Sequence, residues 1–268
     1  MAINCKNCNQ QFEGYFCNHC GQTADTHEIN FHFLWHDIQH GLLHFDKGVL
    51  YTAKQLFTRP GNSIREFIEG KRVKHFKPVS LIIVLATVYG LLYHSFHINA
   101  FKDEVSESFQ KGWNGSGTQI VFDFEKINEW IGTHYSWLVL LLLPFYALGS
   151  FLAFRKSGYN YVEHLILNAF ITGQNLLVHI ILFPLLYLYN ETPTYETIST
   201  LINTICFVLL AWSYMQFFRQ YSKTKTFFLI LLSYLYFGVS VFFAFIIGGL
   251  ILGYLYSAVY HYTNQYGR

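Results

Sequence analysis

The chain has 268 residues, of which 52% are hydrophobic, 19% aromatic and 13% charged, and its formal net charge is +2. The charged share is about half of the roughly 25% that soluble domains carry, so too few charges remain to cover a water-exposed surface. The composition therefore excludes an ordinary soluble protein and favours an integral membrane protein.

Two Cys-x-x-Cys pairs lie near the N-terminus. Cys5 and Cys8 are followed, after eight residues, by Cys17 and Cys20. Two such turns on a short hairpin present four thiolates to one metal ion, and zinc suits this tetrahedral site best. Two disulfides are the alternative, which a reducing cytosol disfavours. Residues 1–24 are therefore predicted to form a zinc ribbon, structural or partner-binding rather than catalytic, because four thiolates leave no coordination position for water.

The ribbon is expected to have a miniature core of Phe12, Tyr15 and Phe16, with Gly14 and Gly21 relaxing its turns. A nucleic-acid surface would need clustered basic and aromatic residues, and this module has a single lysine. A cytoplasmic protein is therefore the more reasonable partner.

Residues 25–78 are predicted to form cytoplasmic amphipathic and basic helices beside the membrane. His32, His36, His40 and His44 recur every fourth residue and so form one row on a helix, opposite an apolar face. The row is either a metal or pH-responsive site or a polar face that happens to use histidine, and the second interpretation is preferred.

The next stretch combines a chain break with a short helix. Pro60 and Gly61 break the chain, and Ser63 with Glu66 makes a capping-box pattern. A short helix is therefore expected to begin near Ser63 and to end near Gly70.

Basic residues accumulate at the predicted membrane surface. They are Arg65, Lys71, Arg72, Lys74 and Lys77. Each gains about 1 kcal/mol beside anionic lipid headgroups. The same charges orient the first span during insertion, and both roles can hold at once.

These segments together resemble a bacterial family catalogued as domain of unknown function 3667. The resemblance rests on residues 12–22, on the Arg-Pro-Gly-x-x-Ile-Arg-Glu-Phe-Ile-x-Gly-Lys-Arg run of residues 59–72, and on Pro78 at the start of a span. It implies a zinc ribbon fused to a multi-span bundle in the bacterial inner membrane, and it implies no activity.

Five segments are long and apolar enough to cross the hydrocarbon layer, which takes about 20 apolar residues. They are residues 79–96, 136–154, 164–189, 198–218 and 227–256. The last is long enough to tilt, bend or project, and Gly248 and Gly249 mark where it would break. We predict five spans rather than six, in an all-α bundle over residues 79–256 with a tail at 257–268.

The distribution of lysine and arginine predicts the orientation, because these residues collect on the cytoplasmic side. With the N-terminus inside, 14 of the 18 lie in residues 1–78, 155–163 and 219–226, and 4 lie outside. The N-terminus is therefore expected in the cytoplasm and the C-terminus outside.

One face of the third span is polar. Asn168, Thr172, Asn175 and His179 follow steps of four, three and four residues. They form either a hydrated path or ligand pocket, in which His179 relays protons, or a set of interhelical hydrogen bonds worth about 0.6–2 kcal/mol each. The second interpretation is preferred because no span carries a charged residue at its centre.

Small residues recur at four-residue intervals along the fifth span, as Ser240, Ala244 and Gly248 and again as Gly249 and Gly253. This spacing lets helix backbones approach closely. The neighbour is either another helix of the chain or a second copy in a homo-oligomer.

No enzyme signature is present: we find no phosphate-binding glycine loop, nucleophile elbow, HExxH motif or paired carboxylates in a span. An enzyme is the least favoured class, because the histidine row and the histidines of the third span are the only candidate catalytic groups. Two functional classes are preferred to it. One is a membrane anchor or adaptor whose zinc ribbon engages a partner, and the other is a transporter, channel or defence-associated pore for a small solute, ion or lipid. The adaptor is preferred because the sharpest motifs are cytoplasmic and structural.

Overall fold

The computed structural model describes residues 2–24, 26, 29–30, 48–96 and 124–266. For residues 124, 125, 127, 128, 252, 256 and 258–266 it describes the backbone alone. The predicted histidine row, His32, His36, His40 and His44, lies outside the described residues.

The N-terminal module is built on a two-stranded antiparallel hairpin. Strand β1 (Ile3–Asn4) pairs with strand β2 (Gln11–Phe12), and Ile3 lies opposite Phe12. Phe12 is buried together with Cys5 and Cys17. The interior of this small module is therefore made of one aromatic ring and the cysteine cluster.

The prediction that Phe12, Tyr15 and Phe16 form the core of this module is wrong for Tyr15 and Phe16. Tyr15 is 87% exposed and Phe16 is 62% exposed. Gly14, with φ of +101°, turns the chain just before them. Phe12 and the four cysteines already fill the interior of the hairpin, so no space remains for two further rings.

Two short helices, α1 (Gly48–Thr58) and α2 (Pro60–Ile68), precede the first span. Helix α2 begins at Pro60 and not at Ser63, which is buried inside the helix. The capping-box prediction is therefore wrong. Proline fits the first turn of a helix, where its missing N–H group has no partner to lose. Glu66 instead accepts two hydrogen bonds from the Arg59 guanidinium, at 3.0 and 3.2 Å.

The five predicted spans are confirmed as five helices long and apolar enough to cross a membrane. They are α3 (Pro78–Ser95), α4 (Phe124–Ala153), α5 (Tyr161–Leu188), α6 (Thr194–Phe217) and α7 (Lys223–Tyr266). Helix α4 begins earlier than predicted, and His134, with φ of −107° and ψ of 15°, marks a kink near the start of the apolar part.

Helix α7 is continuous through Gly248 and Gly249. Its 44 residues span about 66 Å at about 1.5 Å per residue, which is about twice the hydrocarbon thickness. The prediction of five spans rather than six is therefore confirmed, and the fifth helix is not broken at these glycines, a point that the sequence left open. No atom lies within 4 Å of a Cβ built at Gly248, Gly249 or Gly253, so the small-residue face has no neighbour among the described residues of the chain.

Helix α5 is the centre of the bundle, in contact with α3, α4 and α6 and with both short helices. It begins at a capping box in which the Asn160 side chain accepts from the Glu163 backbone and the Glu163 carboxylate accepts from the Asn160 N–H. A short turn at Arg155–Ser157 and Gly158, with φ of +87°, bring the chain to this cap. The core of the bundle therefore forms around α5.

Helix α2 lies directly against the backbone of α6. A Cβ built at Gly61 would overlap the Ser213 carbonyl and the Phe217 amide nitrogen. Arg65 donates a hydrogen bond to the Gln216 carbonyl, and Arg219 donates one of 2.5 Å to the Asn62 side chain. The short helices are therefore part of the bundle at the end that carries the N-terminal module.

Candidate metal centre and intramembrane polar site

The four predicted cysteine ligands lie together. Their sulfur atoms are all within 4.8 Å of one another, with 3.5 Å between Cys5 and Cys20 and 3.6 Å between Cys8 and Cys17. A disulfide bond is about 2.05 Å long, so the cysteines are free thiols. Tetrahedral metal–sulfur bonds of about 2.3 Å separate the sulfurs by about 3.8 Å. The cluster therefore has the size of a four-sulfur metal site.

The backbone holds the two cysteine pairs in equivalent turns. In the first turn the Cys5 N–H donates to the Gln10 carbonyl at 2.9 Å, and the Asn9 N–H donates to the Cys5 carbonyl at 2.8 Å. The second turn repeats both bonds twelve residues later. The Cys17 N–H donates to the Gln22 carbonyl, and the Gly21 N–H donates to the Cys17 carbonyl, each at 2.8 Å. Asn9 and Gly21 occupy the same position in the two turns, and both have a left-handed backbone conformation, with φ of 61° and 75°. The repeat presents both pairs of thiols to one point.

The thiols do not ionise independently. Burial raises the pKa of Cys20, but hydrogen bonds from Asn7 and the Gln22 backbone, and from neighbouring thiols, lower it to about 6. At Cys8 the Gln10 backbone lowers the pKa, but burial and the other three thiols raise it to about 12. Four negative charges cannot accumulate at this spacing without a cation, which would deprotonate the coordinating thiols outright.

The cysteine module contacts the turn after α2. The side chain of Lys6 lies over Gly70, where a Cβ would come within 2.8 Å of the lysine Cδ. Lys6 also donates to the Thr26 carbonyl at 3.2 Å. Gly70 has φ of +109°, a conformation that glycine adopts without steric cost. The module therefore sits on the C-terminal end of α2.

The predicted headgroup residues divide into two groups. Arg65 is engaged with the Gln216 carbonyl, and Arg72 donates to the Phe67 carbonyl at 3.1 Å with its guanidinium 5.5 Å from the Phe67 ring. Lys71 and Lys74 line a hollow of about 450 Å³ that also includes Cys8, His19 and Cys20. Lys77 precedes the first residue of α3. Binding of lipid headgroups by these residues stays a prediction.

Asn168, the first of the predicted intramembrane polar residues, has a full set of hydrogen bonds. Its amide nitrogen donates to Ser150 Oγ and to the His164 carbonyl, both at 2.8 Å, and its oxygen accepts from the Tyr214 hydroxyl at 3.0 Å. His164 Nδ1 lies 3.0 Å from the same Ser150 oxygen. These bonds join α5 to α4 and α6, although Ser150 and Tyr214 were not among the residues expected from the sequence.

Gln174, which the sequence did not single out as a site, joins three helices. Its amide nitrogen donates to the Leu56 carbonyl at 2.6 Å, and its oxygen accepts from the Ser213 hydroxyl at 3.0 Å. Gln174 and Ser213 are completely buried. A glutamine within an apolar span is the signal in the sequence that could have identified this site. The sequence gives no indication that its partner is the backbone carbonyl of Leu56.

The other three predicted polar residues line a cavity. Thr172, Asn175 and His179 lie with Asn168 on its wall, which α4, α5, α6 and α7 form around a volume of about 360 Å³. Asn175 Oδ1 and His179 Nδ1 are buried and have no hydrogen-bond partner in the part of the chain that the structure describes. The His179 ring stacks on Tyr89, with centroids 5.5 Å apart. The structure therefore brings all four residues to the wall of one cavity, but only some of their polar groups form hydrogen bonds.

The fold and the cysteine cluster define a multi-span helical membrane protein with a candidate four-cysteine metal module. Residues 46–90, which include α1, α2 and most of α3, match the family described as Protein of unknown function (DUF3667). The match confirms the resemblance to this family. No curated protein and no solved structure matches the chain.

Proposed function

We propose that this chain is a membrane-anchored adaptor of the bacterial inner membrane, whose cytoplasmic zinc ribbon engages a protein partner. The observation that carries the proposal is the exposed pair Tyr15 and Phe16 on a module that is held on another side by Gly70. The spans fix the ribbon at the membrane surface, and the aromatic pair faces away from its interior.

Zinc in this module is structural in our proposal. Four thiolates satisfy a tetrahedral ion and leave no open position for water or substrate. Among the described residues, the apolar interior of the module consists of Phe12, the cysteines and the partly buried Ala24, which is too little apolar surface to fold 24 residues without a cross-link or a metal. Metal binding and folding of the ribbon are therefore coupled.

Charge supports a cytoplasmic ribbon. At the ribbon end of the bundle, the turns carry Arg155, Lys156 and Arg219 and the first turn of α7 carries Lys223 and Lys225, whereas the turn between α5 and α6 carries no lysine or arginine. Positive residues stay on the cytoplasmic side during insertion. The anionic lipid of that leaflet would also attract Lys71, Lys74 and Lys77 beside the ribbon.

The exposed pair favours a protein partner. Tyrosine and other aromatic residues dominate the binding energy of protein interfaces, because each buries a large area and loses few rotamers. Nucleic acid fits poorly, since Lys6 is the only lysine or arginine of the ribbon and already donates to the Thr26 carbonyl.

Site-specific photocrosslinking in cells tests the proposal. A photoreactive phenylalanine analogue at Tyr15 or Phe16 should give a discrete protein adduct. The same analogue at the exposed Asn18, on the second cysteine turn, is the matched control and should give much less. The adduct should disappear when Cys5→Ser prevents metal binding. Adducts with lipid alone, or equal protein adducts at Tyr15 and Asn18, would contradict an adaptor role for this surface.

A small-molecule transporter or channel is the second candidate, and the cavity on α5 is the observation in its favour. None of the described residues that line this cavity is an aspartate, glutamate, lysine or arginine, so an ion is the least suitable cargo. Flux assays in proteoliposomes separate the two candidates. Solute or lipid transfer that Asn175→Leu abolishes would support transport, and absence of transfer with intact crosslinking at Tyr15 would support the adaptor.

A further inference from the structure

We propose that the cavity between α4, α5, α6 and α7 binds a neutral, hydroxyl-bearing amphipathic lipid, with its hydroxyl group at Asn175 and His179. This inference concerns binding alone, and it holds whether the ribbon acts as an adaptor or the bundle transports its ligand. The argument proceeds from the hydrogen-bonding state of the cavity wall, its composition and its position in the bundle.

The polar wall has unused hydrogen-bonding capacity at mid-span. Asn175 is the fifteenth of the 28 residues of α5, and its Oδ1, like His179 Nδ1, is buried without a hydrogen-bond partner among the described residues. On the same helix, the side-chain amide groups of Asn168 and Gln174 have partners for both oxygen and nitrogen. An unpaired polar group in an apolar environment is costly, so a partner that supplies the missing bonds gains affinity from them.

The remaining wall suits an apolar body. Leu142, Ile230 and Leu176 contribute aliphatic surface, and the rings of Tyr146 and Phe237 stack with centroids 4.0 Å apart. The volume of about 360 Å³ lies within the range of about 300–1,000 Å³ that small-molecule pockets have. An aliphatic chain or a small ring system would therefore fill this space.

The polar end of the ligand should be neutral and able to both donate and accept. The described residues that line the cavity include no aspartate, glutamate, lysine or arginine, so a carboxylate, phosphate or ammonium group would be buried there without a counter-ion. A hydroxyl donates one hydrogen bond and accepts two. Asn175 Oδ1 and His179 Nδ1 are not accessible to a water molecule, so both side chains must rotate towards the cavity to reach a ligand. A hydroxyl can then donate to Asn175 Oδ1 and exchange a second hydrogen bond with His179 Nδ1 in either tautomer, whereas a ketone or an ester has no hydrogen to donate.

A second hollow provides a lateral route. It has a volume of about 400 Å³, lies between α5, α6 and α7, and shares Asn175, His179, Leu210 and Tyr234 with the cavity. The polar pair therefore stands between the two spaces. A lipid entering between α6 and α7 from the bilayer would reach the pair without crossing the headgroup layer.

Photolabelling of the purified full-length protein tests this site. The probe is dodecanol with a diazirine on its chain, and the matched probe is its methyl ether, which keeps the chain but cannot donate a hydrogen bond. In nanodiscs we expect saturable labelling of peptides from α4, α5 and α7 by the alcohol. The ether should need about tenfold higher concentration for half-saturation, as the loss of one buried hydrogen bond predicts.

Two independent variants identify the site. Asn175→Leu removes the polar group, and Leu142→Trp fills the cavity from its apolar wall without touching the pair. Each should raise the half-saturating concentration of the alcohol about tenfold or more. Ile181→Val is the control, because Ile181 is 63% exposed on the outer surface of the same helix, and it should change nothing.

The melting temperature in detergent distinguishes a ligand site from a packing contact. Without ligand, Asn175→Leu removes an unpaired buried oxygen and should leave the melting temperature unchanged or higher, while binding is lost. Equal labelling by the alcohol and the ether, or labelling that neither variant reduces, would overturn the proposal. So would a lower melting temperature of Asn175→Leu with unchanged labelling, which would identify a purely structural residue.

Discussion

Asn9 and Gly21 occupy equivalent positions in the two cysteine turns, and both have positive φ. Asparagine tolerates this region, whereas a β-branched residue does not. The sequence shows the two Cys-x-x-Cys pairs, but the equivalence of an asparagine and a glycine becomes visible only in the backbone hydrogen bonds around Cys5 and Cys17.

Gly21→Val should therefore weaken metal binding, because the turn would carry backbone strain of about 1–3 kcal/mol. Competition with a zinc chelator should show about a tenfold or greater loss of affinity. Asn9→Gly is the control and should bind the metal at least as well as the native chain. Equal affinity of Gly21→Val and the native chain would mean that the metal does not require this turn geometry.

His75, outside the spans, is a neutral histidine enclosed by aromatic rings. Its ring meets Tyr51 and Phe67 edge to face, with centroids 5.3 and 6.0 Å apart. Burial lowers the pKa of His75 to about 4, while Glu66 raises it and Arg59 lowers it by smaller amounts. Protonation of His75 at low pH therefore destabilises the folded state.

The unfolded chain binds a proton near the ordinary pKa of 6.5, and the folded chain does so only near 4. Stability contributed by neutral His75 is therefore complete above pH 6.5 and is lost as the pH falls towards 4. His75→Phe should remove about 2 kcal/mol of this acid sensitivity, measured as the melting temperature in detergent from pH 7 to pH 4. Identical pH profiles for the variant and the native chain would exclude the role of His75.

At the scale of elements, the Arg-Pro-Gly motif forms a docking contact between α2 and α6. Pro60 starts the helix, Arg59 pairs with Glu66, and Gly61 lets α2 reach the backbone of α6. The motif is thus explained by helix packing at the end of the bundle. The sequence identified the motif, but it predicted that the helix begins near Ser63 instead of at Pro60. It also paired Glu66 with Ser63 instead of with Arg59.

Gly61→Ala should destabilise the protein by about 1–3 kcal/mol, because a methyl group would overlap the α6 backbone. The melting temperature in detergent and the folded yield measure the effect. Gly238→Ala is the matched control: no atom lies within 4 Å of its Cβ position, and alanine favours a helix. It should be neutral or stabilising. Equal effects at the two glycines would contradict the close packing of α2.

Gln174 holds the end of α1 against α5 and α6 through the Leu56 carbonyl and Ser213. Gln174→Leu leaves the buried Leu56 carbonyl without its donor and should cost about 1–3 kcal/mol, whereas the Ser213 hydroxyl still donates to the Leu209 carbonyl at 2.8 Å. Hydrogen exchange of α1 should accelerate, because its C-terminal carbonyl loses a donor. Ser213→Ala, which keeps the bond to Leu56, should leave exchange in α1 nearly unchanged, and the opposite ranking would contradict this arrangement.

At the scale of the whole molecule, the turns alternate between a basic end with the ribbon and an end poor in lysine and arginine. Green fluorescent protein fused after Ser157 or Gln220 should fluoresce, and alkaline phosphatase fused after Glu191 should be active. Phosphatase activity at Ser157 would reverse the orientation and remove the cytoplasmic partner from the proposal.

The length and apolarity of the five spans are visible in the sequence because a helix in lipid must satisfy its backbone within one continuous segment. The cysteine spacing likewise predicts the cluster of four thiols that could hold a metal ion, since two short turns bring four soft ligands to one point. The sequence left open whether the fifth helix breaks at Gly248 and Gly249, and the structure shows one helix that continues through both.

Tertiary structure alone decided which polar side chains are paired. Asn168 and Asn175 lie seven residues apart on one face, but Ser150 and Tyr214 reach the first, and none of the described side chains or backbone groups bonds the Oδ1 of the second. Sequence spacing places residues on a helix face, whereas partners depend on which neighbouring helices meet that face and at what height. The exposure of Tyr15 and Phe16 and the cavity beside His179 were decided in the same way, by how much space the neighbouring side chains leave.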